Sequence, residues 1–311
     1  MEIKKTIADA IKTLFKKTKG IYIWNMVVKD GIMYIWNWDV VLRFKTDSKE
    51  EWIVKDFWKM MGWFYAMGVL NYELENIHPE HYFFKMQKEW TEAKEKSKMK
   101  IKNSKWLQDM AKRLPDKNFN NLLVCIHFMG DGRIEASDSY YLEQLGDAYE
   151  WEGDSETCIE AKYLALWEVR YIKETEFEFE RIQTIYYDDY SITIRTSGNY
   201  NKSYPDTQRV FDMYDEEETE CTIDFYQFLK DKKLIKDSTI QHKREAGKCK
   251  IILNYDISWT YNEVINAYDT ENGDWDMCTA AKRVKKFKGT FKVRKTTMYH
   301  EEWNYKVMIR F

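Results

Sequence analysis

The sequence predicts an α+β fold made of three similar units, each with two helices laid on antiparallel strands. Three observations carry this. Helix-spaced apolar stripes alternate with short strand-like runs along the whole chain. The cycle recurs about every hundred residues, which divides the chain into 1–97, 98–215 and 216–311. With 3 Pro and 12 Gly in 311 residues, flexible-linker architecture is excluded.

The first unit opens with a helix over Thr6–Lys17. Ile7, Ala10, Ile11, Leu14 and Phe15 share one face, and Lys12 and Lys16 fall opposite. Extended segments Tyr22–Val28 and Ile32–Phe44 flank Asp30-Gly31, a strong hairpin-turn pair. A second helix is expected over Val54–Phe64, with Lys55 and Lys59 on its polar side. Strands follow from Leu70 to Lys88, and Lys94–Lys102 reads as a connection or an exposed strand.

The second unit repeats the order. Ser104 is a candidate cap for a helix through Leu114, with Trp106, Leu107, Met110 and Leu114 apolar and Lys105 and Lys112 basic. Strands Leu122–Phe128 and Arg133–Ala136 flank the turn Gly130-Asp131-Gly132. A helix over Glu160–Arg170 precedes strands Glu176–Tyr186 and Ser191–Thr196, joined through Asp188-Asp189. In the third unit, Asp224–Ile235 reads as a helix exposing Lys230 and Lys233. Cys249–Tyr255 and Ser258–Tyr261 read as strands. Thr279–Phe287 reads as a strongly basic helix carrying Lys282, Arg283, Lys285 and Lys286. Thr290–Lys295 and Tyr305–Phe311 complete the unit as strands.

Hydrophobic residues at 44% and charged residues at 32% exclude a largely disordered chain. The net charge of -3 excludes a uniformly basic coat, but charge is segregated. Residues 282–295 hold eight basic groups and no acid, whereas Asp212–Glu220 holds six acids and no base. Five scattered cysteines, the nearest two 28 residues apart, offer no CxxC pair and suit a reducing cytoplasm. No signal-peptide pattern and no run of 18 apolar residues is seen, so no membrane partner is expected.

Enzyme chemistry has little to stand on. No dinucleotide, phosphate-loop or nucleophile-elbow motif occurs, so no catalytic residue and no cofactor is expected. His78 and His81 lack a helical frame and a third ligand, so no metal is expected either. His127 reads as structural, His242 and His300 as exposed, and Asp188-Asp189 as turn residues. Trp24, Trp36 and Trp38 crowd the first hairpin, where a packed face is the simplest account. An exposed aromatic surface would instead suit a carbohydrate- or protein-binding module. A DNA-modifying enzyme is the other alternative.

Three stretches resemble the bacterial-type DNA polymerase sliding clamp, the beta subunit. Gly132–Gln144 (GRIEASDSYYLEQ) resembles its central signature, a strand ending in Thr-Asp-Gly-His-Arg-Leu-Ala, with Tyr140 and Tyr141 replacing His and Arg. Tyr204–Phe211 (YPDTQRVF) resembles its Phe-Pro-Asp-Tyr-x-Arg-Val segment, with Asp212 where Pro is usual. Tyr305–Phe311 (YKVMIRF) resembles its C-terminus, with Met308 replacing a Pro. The order and spacing match across the whole chain, in a shortened form of the kind a phage would encode.

The resemblance implies three clamp domains forming half of a ring, two chains per ring, and no catalysis. It implies a processivity factor around duplex DNA in the cytoplasm, with a DNA polymerase and a clamp loader as partners. The duplex would be held without sequence preference by Lys12, Lys16, Lys55, Lys59, Lys105, Lys112, Lys230, Lys233, Lys282, Arg283, Lys285 and Lys286. It also implies a groove for partner peptides between the second and third domains, walled by Tyr140, Leu142, Val210, Phe211, Val307 and Ile309.

Overall fold

Antiparallel pairing organises the protein. Its computed structural model describes residues 4–14, 25–36, 40–46, 52–54, 94–115, 120–153, 156–177, 180–197, 204–215, 218–256, 258–269 and 273–311. The expected helix over Val54–Phe64 (beyond Val54) and the expected strands over Leu70–Lys88 lie outside these residues, as do Trp24 and Trp38. Packing divides the chain into two compact units: Met1–Ile134 with Asp147–Tyr204, and Glu135–Gly146 with Pro205–Phe311.

In the first unit, helix α1 (Lys5–Leu14) buries Ile7, Ala10 and Ile11, the apolar stripe of the sequence. Strands β1 (Asn25–Lys29) and β2 (Ile32–Trp36) pair in register from Lys29↔Ile32. Asp30 and Gly31 turn between them with φ of 52° and 71°. Two positive φ values give the turn the twist a two-residue hairpin needs. β3 (Val40–Lys45), β4 (Trp52–Val54), β5 (Lys94–Ile101) and β9 (Tyr149–Gly153) join β11 (Tyr171–Phe177), β12 (Glu180–Tyr186) and β13 (Tyr190–Ser197) in a nine-stranded sheet. Its order is β4-β1-β2-β3-β13-β12-β11-β5-β9.

The lysine-rich β5 belongs in a sheet because its alternate residues are apolar or small. Ser97 and Met99 are buried, while Lys98 and Lys100 point to solvent. Gly153 on neighbouring β9 has φ +84°, and a Cβ there would lie 2.1 Å from the Lys96 carbonyl oxygen. Helix α2 (Ser104–Arg113) buries Leu107, Met110 and Ala111. Its cap is Asn103, one residue before the expected Ser104. The Asn103 side chain accepts from the Trp106 N–H at 3.3 Å, and Ser104 donates to the Val169 carbonyl at 2.7 Å. A 3₁₀ turn over Asn121–Val124 replaces the start of the strand expected from Leu122. β6 (Cys125–Phe128) then pairs with β10 (Thr157–Glu160), which runs straight into the one-turn helix α3 (Ala161–Leu164).

In the second unit, β7 (Ile134–Ser137), β8 (Tyr141–Leu145), β14 (Cys221–Ile223), β19 (Phe291–Val293), β20 (Thr297–Glu302) and β21 (Tyr305–Arg310) follow the order β7-β8-β21-β20-β19-β14. Helix α4 (Thr207–Asp215) occupies the Tyr204–Phe211 motif and had no helical expectation from the sequence. α5 (Phe225–Leu229) is capped by Asp224, whose carboxylate accepts from the Gln227 N–H at 2.8 Å. It is shorter than the expected Asp224–Ile235. A four-stranded sheet has the order β17-β16-β15-β18 from β15 (Thr239–Glu245), β16 (Lys248–Asn254), β17 (Asn262–Asp269) and β18 (Trp275–Ala280). The strand expected over Ser258–Tyr261 is a turn, and β17 starts just after it.

β18 passes directly into α6 (Ala281–Val284), as β10 passes into α3. The helices expected over Glu160–Arg170 and Thr279–Phe287 are therefore single turns that begin where a strand ends. Beyond α6 the Lys286 and Phe287 N–H groups bond back three residues, to Arg283 and Val284, at 3.1 Å each. That 3₁₀ geometry keeps Ala281, Val284 and Phe287 on the buried side and mimics helical spacing in the sequence.

Candidate functional site

Two groups of side chains in the second unit bear on function. The first begins with the pairing of β8 and β21, which sets Met308 opposite Leu142. Leu142, Met308, Phe211 and Tyr299 form one buried apolar cluster, and Val210 and Tyr214 of α4 pack against it. Phe211 meets Tyr299 edge to face at 6.2 Å. The Arg294 guanidinium lies 4.9 Å over the Tyr299 ring and also donates to the Tyr214 carbonyl oxygen.

The expected groove residues divide accordingly. Leu142, Val210 and Phe211 come together. Val307 and Ile309 are fully buried and alternate along β21 with Met308, so period-two pleating sends them to the other face of the strand. Met308, Tyr299 and Tyr214 fill the cluster instead. The alternation of Tyr305–Phe311 could have signalled Met308 in place of its neighbours. Tyr140 is exposed at 55% and sits beside the charged group described next.

The second group is the basic block of α6 and the turn after it. Arg283 lies 4.3 Å over the Tyr140 ring and 3.5 Å from the Asp138 carboxylate. Asp138 caps the turn before β8, accepting from the Tyr140 and Tyr141 N–H groups at 2.9 and 3.0 Å. Lys285 donates to the carbonyl oxygen of Lys230, which follows α5, at 2.9 Å. Arg283 and Lys285 are thus tied into the fold, and Lys282, Lys286, Lys230 and Lys233 are exposed.

In the first unit, Lys12 of α1 is exposed and 4.0 Å from Asp9. Lys105 and Lys112 are exposed on α2, Lys105 3.3 Å from Asp109. Lys16, Lys55 and Lys59 lie outside the described residues. Asp188 and Asp189 sit in the turn between β12 and β13. Arg170 donates to Asp188 at 2.9 Å, and Asp189 accepts from Lys4 and from Thr6, the latter at 3.0 Å. Each carboxyl is held below its ordinary range, first by the hydrogen bond from its basic partner.

Two histidine expectations are corrected. His242 is fully buried and His300 nearly so, because strand alternation turns both inward despite their charged neighbours. His242 belongs to a cluster with Glu220 and Cys249 that sequence separation concealed. No described helix is long and apolar enough to cross a membrane.

No protein-family profile and no curated protein sequence matches the chain. Solved structures do match. The Helicobacter pylori beta clamp bound to a DNA ligase peptide aligns with a TM-score of 0.63 at 10% identity, over 98% of this chain and 96% of that one. A DNA polymerase III sliding clamp from Bartonella birtlesii aligns at 0.65 and 10%, over 98% and 95%. The DNA polymerase III beta subunit of Thermotoga maritima aligns at 0.62 and 14%, over 98% and 95%. The chain has the sliding-clamp fold. Within that fold, the apolar cluster and the basic block are contributed by α4, α6, β8, β20 and β21 of one compact unit.

Proposed function

We propose that the chain is a non-catalytic DNA sliding clamp. Its three similar domains, 1–97, 98–215 and 216–311, make half of a ring. Two copies join head to tail around duplex DNA and tether a DNA polymerase after a clamp loader opens the ring. It works in the cytoplasm, that of the host if a phage encodes it. The observation that carries this reading is the likeness to clamps over 98% of the chain and at least 95% of theirs, which leaves no major part of the fold unaccounted for. Exposed lysines on α1, α2 and α6 support it, because phosphate attraction needs charge but no base contacts. β17 supports homodimer formation. It pairs with β16 on one side and exposes Val264, with Tyr261 exposed beside it, as an edge strand awaiting a partner does.

The test is retention on DNA. After loading, the protein should stay on closed circular duplex and slide off when the circle is cut. Equal loss from both forms would reject encirclement. Changing Lys282, Arg283, Lys285 and Lys286 to Gln should lower the salt slope of duplex binding by up to about 0.9 for each phosphate no longer neutralised. An unchanged slope would remove the basic block from the DNA surface.

The apolar cluster is proposed as the dock for the hydrophobic tail of the polymerase. Leu142→Ala should weaken tail-peptide binding while the dimer persists. Val210→Ala, at a half-buried position packed against the cluster, gives the same test with a smaller cavity. Unchanged affinity in both folded variants would reject the dock.

A further inference from the structure

One face of the four-stranded sheet in the second unit carries a buried polar cluster that the clamp reading does not use. Cys249 on β16 stands opposite Tyr268 on β17, and His242 projects from β15. Glu220, just before β14, reaches the same spot. The His242 Nε2 atom lies 2.8 Å from the Tyr268 hydroxyl, 2.9 Å from the Cys249 sulfur and 3.0 Å from a Glu220 oxygen. Tyr268 also donates to Glu220, and the Cys249 thiol lies 3.1 Å from the Tyr268 hydroxyl. Trp275 and Phe311 roof the imidazole at 5.5 and 5.1 Å.

Hydrogen bonds alone account poorly for this crowding. A neutral imidazole Nε2 offers either one proton or one lone pair, so it satisfies one partner well. Here three polar atoms press on it. With its proton directed at one of them, the other two become close contacts without a bond. Four different donor atoms converging on one buried point are what a cation's ligand set looks like. Thiolate, imidazole and carboxylate together suit zinc rather than calcium or magnesium.

We infer that Glu220, His242 and Cys249 form a binding site for a transition-metal dication of the zinc class, with Tyr268 at its edge. The three ligand atoms lie within 4.8 Å of one another. Tetrahedral bonding with zinc distances would set nitrogen and sulfur about 3.5 Å apart, so the cluster opens by roughly half an ångström on binding. The metal–sulfur bond forms as the thiol gives up its proton to solvent, and His242 stays neutral with its proton on Nδ1. Arg244 lies on the same face, stacked on Trp275 at 5.1 Å. It balances Glu220 when the metal is absent and opposes the cation when it is present. His242 Nδ1 meets no protein acceptor among the described residues. Without that orienting contact, affinity falls about 10–100-fold below a site whose histidine is fixed from behind. The site ties the approach to β14 onto the four-stranded sheet and so acts on the stability of the second unit.

Cobalt(II) titration of the chelator-treated full chain is the decisive measurement. One equivalent should bind and produce the intense absorbance of a cobalt–thiolate bond. Zinc should displace it and raise the melting temperature of the protein. Cys249→Ser should abolish the absorbance, and Cys278→Ser, at an exposed cysteine, should keep it. A well-folded wild-type protein with no thiolate band, or a band that survives in Cys249→Ser, would overturn the site. The wild-type titration decides even if the Cys249 variant fails to fold. DNA retention is a separate readout, so loss of the metal inference leaves the clamp reading standing.

Discussion

The stretches Cys158–Leu164 and Cys278–Val284, one in each unit, share a local backbone path and differ mainly in charge. In each, a strand passes without a loop into a one-turn helix that starts at an alanine followed by a lysine. The residue before the helix has nearly the same backbone in both, φ and ψ of -58° and 127° at Glu160 and -65° and 121° at Ala280. One hydrogen bond closes each turn, Ala165 N–H to Ala161 at 2.8 Å and Lys285 N–H to Ala281 at 3.0 Å. Ala161 and Leu164 are buried, as are Ala281 and Val284. The outer positions diverge. Glu160 pairs with Lys162 in the first turn, whereas Ala280 leaves Lys282 without that neighbour in the second. Buried small and apolar residues three apart fix the backbone, and the exposed positions differ in charge.

The largest expected effect tests the shared anchor. Leu164→Ala should cost about 2–5 kcal/mol and Val284→Ala about 2 kcal/mol, the difference following side-chain volume. Urea denaturation, with hydrogen exchange assigning each loss to its own unit, measures both. If either change were neutral, the two turns would not be held in the same way.

A pH effect of similar size separates the turns. Glu160 faces Cys125 across β10 and β6, and Ala280 faces Thr239 across β18 and β15. Burial first, and then the Glu160 charge, push the Cys125 thiol up to about 12, against an opposing pull from Lys162. Between pH 9 and 12 the unfolded thiol ionises while the folded one keeps its proton. The stabilisation is therefore complete below about 9 and is lost as pH rises through 12, by up to about 4 kcal/mol. Cys125→Thr, which copies the second turn, should flatten this alkaline loss in paired denaturation curves. Parallel wild-type and variant curves would reject the assignment.

Much of this was readable in the sequence, for definite reasons. Asp30-Gly31 announced its hairpin because few other pairs adopt two positive φ values. Helix α2 is legible because its stripe of Leu107, Met110 and Leu114 is a local feature, although its cap is Asn103, one residue before the expected Ser104. Helix α6 is shorter than expected because the 3₁₀ spacing after Val284 copies helical spacing in the sequence. Met308 was missed because a resemblance located the strand but not its facing side. The Glu220–His242–Cys249 cluster was illegible because its members, up to 29 residues apart, meet only through sheet register.

The smallest expected effect concerns the carboxylate that distinguishes the turns. Ala280→Glu gives the second turn the acid that Glu160 gives the first. Position 280 is partly exposed, like Glu160, so the new carboxylate can pair with Lys282 and still reach water. Exposed ion pairs contribute little, and stability should change by no more than about 0.5 kcal/mol. If the basic block meets duplex as proposed, binding should respond although stability does not. A neutralised Lys282 leaves at most one phosphate without its cation, which lowers the salt slope by about 0.9 or less. The reciprocal Glu160→Ala should leave stability equally unmoved and should lower the Cys125 thiol from about 12, seen as faster alkylation at a fixed alkaline pH. A loss of more than 1 kcal/mol in either variant would mean that the outer residues help hold the backbone, and that charge at these turns was not free to diverge.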